Sequence, residues 1–170
     1  QRMRYQVTSA LQIDLPQAPQ LNTFQRDANT RLPLNSNPQT RALAESWRSQ
    51  NLSNEQIIDK ALALFNREFT YTLQPPLLGE HSVDEFLFSS KRGFCEHFAS
   101  SFSFLLRAAG IPSRVVVGYQ GGEWNPVENY LLVSQSDAHA WTEVWIEGSG
   151  WQMIDPTAAV APNRIEQGMD

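Results

Sequence analysis

A thiol becomes a nucleophile only where its surroundings favour the thiolate, and this chain has a single cysteine, Cys95. The run Gly93 to Ala109 reads as a helix, with Phe98, Ala99, Phe102, Leu105, Leu106 and Ala109 at the 3.6-residue period and Gly110 and Pro112 as its stop. Cys95 falls in the first turn, where unsatisfied backbone N–H groups and the macrodipole stabilise a negative charge. The same position lies on the apolar stripe, so a core residue is the competing reading. One cysteine excludes an intrachain disulfide and a four-cysteine zinc site.

A nucleophile needs a base and a group to orient it. Of three histidines, His97 is two residues from Cys95 on one helix and points to another side. His81 stands beside a helix cap, where a solvated surface role is the default. His139 opens an alternating run to Ile146 that should pack as a strand on the Cys95 helix. For the orienting carboxylate, Asp155 ends the strand after Gly148-Ser149-Gly150, and Pro156 terminates pairing behind it. A plain two-residue hairpin would set Asp155 opposite Thr142, roughly 10 Å along the strand from His139. Contact would then require a bulge or a sharp bend. Asp137, Glu143 and Glu96 are nearer in sequence and remain rivals on the residues alone. Cys95, His97 and His139 lack the paired spacing of zinc ligands, and no D-x-D-x-D-G calcium loop occurs. Neither a metal nor a cofactor is expected.

The elements that must hold these groups follow from the rest of the pattern. Residues 1–40 read as an irregular N-terminal extension, with a loose strand from Tyr5 to Leu15 and then Pro16, Pro19, Pro33 and Pro38. Helices are expected over Gln39 to Gln50 and Ser53 to Arg67, the second opened by a Ser53/Gln56 capping box. A short extended piece, Phe69 to Leu73, and a brief helix capped by Ser82 lead to the Cys95 helix. The period then changes to two over Ser113 to Tyr119, Tyr130 to Ser134, His139 to Ile146 and Trp151 to Ile154. Helices first and strands second predict an α+β domain, with an antiparallel sheet packed on the nucleophile helix.

At 170 residues, 41% hydrophobic and 18% charged, the chain is expected to form one domain over 1–170, large enough to fold without staples. Thirteen basic against eighteen acidic side chains, a net charge of −5, argue against nucleic acid as a partner. No apolar run reaches the length of a membrane span. The start at Gln1, without a leader, suggests a soluble segment of a longer protein.

Three blocks together resemble the core of the transglutaminase-like superfamily. They are Gly93-Phe94-Cys95-Glu96 with Ala99 and Leu105 through Tyr119, then His139-Ala140-Trp141-Thr142-Glu143-Val144-Trp145, then Gly150-Trp151 through Asp155-Pro156-Thr157. The likeness covers roughly residues 70 to 157, with a core over 69–157. Phe69-Thr70-Tyr71-Thr72-Leu73 and the run Asp155 to Pro162 further resemble TgpA-type membrane-anchored bacterial proteins. The resemblance implies a papain-like α+β fold with Cys95 as nucleophile, His139 as base and Asp155 as orienting carboxylate. It implies a periplasmic domain tied to the inner membrane only through segments outside this chain. Its partners would be a glutamine-containing protein or peptide as acyl donor and a primary amine such as lysine as acceptor.

The oxyanion would be held by the Cys95 backbone N–H and a second donor. Animal members use an upstream Trp, and none lies between Trp47 and Cys95 here, so Tyr71 or a backbone amide is the expectation. Trp124 and Trp141, with Tyr130 and Trp145, are candidates to line a substrate cleft, although strand aromatics are as readily core. The glycine-bearing loop Gly118 to Pro126 is the expected cleft rim. Two rivals share these residues: a peptidase or amidase in which water replaces the amine, and a binding module that keeps only the fold.

Overall fold

The computed structural model describes residues 20–161. The expected strand from Tyr5 to Leu15, with Pro16 and Pro19, lies outside the described residues. Within residues 20–40 the expectation of irregular chain is corrected by a helix, α1 (Thr23–Thr30). It buries no side chain and so has no apolar period to read; an Asn22/Gln25 capping box holds it instead.

Helix α2 (Pro38–Ser49) and helix α3 (Asn54–Glu68) occupy the two predicted stretches. Ser53 Oγ accepts the Gln56 N–H at 3.2 Å while Gln56 Oε1 accepts the Ser53 N–H at 2.9 Å, and Ile57, Ile58, Ala61 and Phe65 go into the core. The start of α2 is capped from a distant segment. Asp84 accepts the N–H groups of Gln39 and Thr40 at 2.9 and 2.8 Å and the Thr40 hydroxyl at 2.6 Å. Asn37 returns the interaction: its Oδ1 accepts the N–H groups of Val83 and Asp84 at 3.0 and 3.1 Å. This clasp explains why Ser82 does not cap helix α4 (Ser82–Glu85) as expected: Ser82 is the first helical residue, and Asn37 satisfies the donors behind it. A π-helical turn, Phe86–Ser90, continues α4 and buries both Phe86 and Leu87.

Strand β1 (Thr70–Tyr71) pairs in parallel with strand β2 (Arg92–Gly93), so the helix that carries Cys95 starts later than the expected Gly93. Helix α5 spans Cys95–Ala108. The chain at Gly93 is fixed by crowding: a Cβ there would lie 2.7 Å from the His97 side chain and 2.9 Å from the Phe86 ring. Phe98, Phe102, Leu105 and Leu106 of α5 are fully buried, and the Phe98 ring meets that of Phe86 edge-on at 5.2 Å. Gly110, at φ +76°, turns the chain out of the helix.

Strands β3 (Ser113–Tyr119), β6 (Ala138–Ile146) and β7 (Gly150–Ile154) form an antiparallel sheet in the order β3-β6-β7. Central β6 seats on α5 through Ala140, Thr142 and Val144, and the Thr142 hydroxyl donates to the Ala99 carbonyl at 3.1 Å. The segment expected as a glycine loop is a hairpin, β4 (Glu123–Asn125) and β5 (Tyr130–Leu132), with Trp124 opposite Leu131. Asn125 nucleates its turn by accepting the N–H groups of Val127 and Glu128, an arrangement that Gly121-Gly122 masked in the sequence. The whole is the α+β architecture expected, with helices on one side and the sheet on the other face of α5.

Candidate active site

Cys95 is the first residue of α5 and 8% exposed. Burial is the largest single influence on its thiol and pushes the pKa up. A hydrogen bond with His139, backbone N–H groups of Ala140 and Glu96, and the His139 charge together outweigh it, so the pKa lies below the ordinary cysteine value. The position is therefore both core and ionisable: the thiol is buried against Ala99 and Ala140 while its surroundings favour the charged form.

His139 is the second residue of β6, and its Nε2 lies 2.6 Å from Asp155 Oδ2. With Nε2 committed to the carboxylate, the hydrogen bond to Cys95 falls to Nδ1. Burial is again the largest single influence and lowers the pKa. The hydrogen bonds and charges of Asp155 and Cys95 overcome it and raise His139 to about 9.

The reach of Asp155 to His139 needs neither bulge nor bend. The β6–β7 ladder is regular from Ile146 opposite Gly150 to Thr142 opposite Ile154, because the hairpin closes on three residues, Glu147 to Ser149, not two. Gly148 and Gly150 both take positive φ, +80° and +82°, which makes the longer turn possible. Asp155 thus follows directly after the residue opposite Thr142 and stands across from Trp141, one same-face step from His139. Thr157 fixes the carboxylate by donating its N–H to Oδ1 at 2.9 Å, leaving Oδ2 for the imidazole. Asp-x-Thr is a turn pattern legible in sequence, and Thr157 is a site residue that the motif reading passed over.

The rival groups are occupied elsewhere. Asp137 accepts the Ser134 N–H at 2.6 Å, Glu143 pairs with Arg114 at 2.6 Å, and Glu96 is exposed. His97 faces Phe94 at 4.5 Å between ring centres, and burial holds its pKa below the usual value. His81 is not the solvated residue expected: it is half-buried, and its Nδ1 accepts the Asn37 N–H at 3.2 Å, fastening the α2–α4 clasp. Among the described residues no group of three His, Cys, Asp or Glu could hold a metal ion.

The three aromatic candidates are placed differently. Tyr71 stands on β1 opposite Gly93, two residues before Cys95, its ring parallel to that of Phe98 at 6.5 Å. Trp141 lies against His139 with ring centres 6.2 Å apart and planes at 24°. Trp124 is 55% exposed on the β4–β5 hairpin, in a cleft of about 370 Å³ shared with Glu123, Tyr130 and Leu132. Trp145 is core, packed edge-on against Trp151 at 5.6 Å.

The transglutaminase-like superfamily model matches residues 41–156, from α2 through the residue after Asp155. The chain belongs to the transglutaminase-like superfamily. A protein-glutamine gamma-glutamyltransferase of Pseudomonas aeruginosa is 49% identical over 174 residues, covering 100% of this chain and 25% of its own length. The crystal structure of the periplasmic domain of TgpA from P. aeruginosa superimposes with a TM-score of 0.82 at 51% identity, over 86% of this chain and 51% of that one. The uncharacterized protein YebA of Bacillus subtilis is 37% identical over 115 residues, 61% of this chain and 16% of its own. The chain thus spans a quarter or less of these two full-length relatives. Among the described residues no helix is long and apolar enough to cross a membrane.

Proposed function

We propose that the protein is the acyl-transfer domain of a protein-glutamine γ-glutamyltransferase, with Cys95, His139 and Asp155 as its triad. The observation that carries this reading is the relay Asp155–His139–Cys95: a carboxylate on one ring nitrogen and a thiol on the other, with the thiol at a helix N-terminus. In this reading the Cys95 thiolate attacks the carbonyl carbon of a glutamine side-chain amide. The C–N bond breaks as His139 gives its proton to the leaving nitrogen, and ammonia departs, leaving a thioester. A primary amine then adds to the thioester, His139 takes its proton, and the thiolate leaves with an isopeptide bond formed. Asp155 keeps the imidazole in the tautomer and plane both steps need.

Charge that develops on the carbonyl oxygen would be met by the Cys95 backbone N–H in the first turn of α5. Tyr71, on the strand beside β2, is the proposed second donor. Tyr71→Phe is expected to lower kcat on the order of 10²-fold with KM little changed; an unchanged kcat would assign the second donor to a backbone amide. The 51% identity to the periplasmic domain of TgpA supports a periplasmic setting, and the 25% share of the P. aeruginosa relative's length supports a place within a longer chain.

The test is transfer itself. Incubated with a glutamine-containing protein and a labelled primary amine, the domain should incorporate label and release ammonia in equal amounts, and Cys95→Ala should do neither. Peptide cleavage without label uptake would replace transfer by hydrolysis on the same triad. Absence of both reactions from the wild-type protein would leave only a binding module.

A further inference from the structure

The indole of Trp141 occupies a place that the sheet has been shaped to leave open. On β3, Gly118 is the register partner of His139, and a Cβ at position 118 would lie 2.9 Å from Trp141 Cη2 and 3.2 Å from Cζ3. Real Cβ contacts are essentially never that close, so any side chain at 118 displaces the ring. The φ of Gly118 is not positive, which means that the glycine is required for space and not for backbone conformation. From that seat the indole reaches back along β6 to the His139 ring in an offset stack, 6.2 Å between centres at 24°. On the opposite flank, the β6–β7 register carries Asp155 to the position across from Trp141. The indole is thus fixed between Gly118 on β3 and the His139 ring, while Asp155 holds that ring from the β7 side. The His139 and Asp155 side chains are only 6% and 8% exposed at the ends of their strands, while Trp141 itself is half-buried.

We infer that Trp141, admitted by Gly118, is a positioning residue that holds the His139 ring in the plane that aims Nε2 at Asp155. The inference rests on the triad reading above and adds to it two residues that need not touch substrate. The charged groups acting on His139 are Asp155 from the end of β7 and Cys95 from α5. β3 presents Gly118 on the remaining side, and Asp137, just upstream, is spent on the Ser134 N–H. Loosening the indole therefore changes the imidazole's grip on a thiolate and a carboxylate and nothing else charged.

The single thiol makes the test direct. The rate of Cys95 alkylation by iodoacetamide, followed against pH, reports the thiolate that the His139 imidazolium sustains. Trp141→Ala should move the lower limb of that profile upward by roughly one pH unit, the size of one aromatic contact expressed as a pKa change. Trp141→Phe should restore most of the difference. Gly118→Ala, which keeps the indole but must displace it, should shift the limb in the same direction, and it serves alone if Trp141→Ala does not fold. In Gly118→Ala/Trp141→Phe the effects should not add. Profiles that superimpose on the wild type, with only KM for the glutamine substrate raised, would overturn the inference and make Trp141 a wall of the substrate cleft. Failure of the triad reading is seen separately: His139→Asn would then leave the alkylation profile unchanged.

Discussion

Each member of the Asp155–His139–Cys95 relay is held by a neighbour whose own role is structural, and the proton balance follows from those contacts. His139, raised to about 9, binds its proton more tightly in the folded protein than an unfolded histidine near 6.5 does. Its contribution to stability is therefore fully present below about pH 6.5 and is lost as pH rises through about 9. Thermal melting of the wild-type protein should accordingly fall between pH 7 and about 9.5, and Asp155→Asn should flatten that dependence. Transfer should decline over the same upper range, because His139 must carry a proton to give to departing ammonia. Asp155→Asn should also lower kcat by roughly 10²–10⁴-fold with little change in KM, the scale of positioned acid–base catalysis. A kcat within a factor of two of wild type would place the orienting group elsewhere. Cys95 shows how a residue can satisfy two readings that compete in sequence: the apolar stripe buries it, and burial opposes ionisation, yet three neighbours, His139, Ala140 and Glu96, reverse the sign.

At the scale of elements, what was legible was what period and capping encode. The Ser53/Gln56 box, the α5 stripe and the two-residue alternation of β3, β6 and β7 all stand at or near their expected bounds. Three features escaped because their cause is not local. The α2 cap is supplied by Asp84 from 44 residues away; the π turn is set by the need to bury both Phe86 and Leu87; and β2 takes Gly93 from the apparent helix by pairing with β1, which leaves Phe94 as the cap. The β6–β7 turn failed by one residue, and since side chains alternate along a strand, that single residue decided whether Asp155 could reach His139. The clasp is testable: Asp84→Ala leaves the Gln39 and Thr40 donors without an acceptor and should cost roughly 1–3 kcal/mol in urea unfolding. Ser53→Ala, at an exposed cap, should cost about 1 kcal/mol. Equal effects would mean that the buried clasp has no special weight.

For the molecule as a whole, the proposed chemistry is divided between α5, which carries Cys95, and the β6–β7 hairpin, which carries His139 and leads directly into Asp155. Everything that fixes one against the other, such as the Thr142 hydroxyl on the Ala99 carbonyl, also fixes Cys95 against His139. The three sequence blocks that resemble the family are the segments that meet at this junction, and it is the resemblance, not the residue spacing, that sets Asp155 ahead of Asp137, Glu143 and Glu96. The cleft aromatics were not separable in sequence, since Trp141, Trp145 and Trp124 share one residue type and alternate on strands, and only the packing sends them to the imidazole, the core and the hairpin. The central claim is that Cys95 forms a thioester with a glutamine side chain, and intact mass measures it most directly. Mixed with a glutamine-containing peptide in the absence of amine, the protein should gain the peptide mass less ammonia on its single thiol and lose it when a primary amine is added, and Cys95→Ala should gain nothing. An adduct that survives Cys95→Ala, or one that amine does not discharge, would contradict the account.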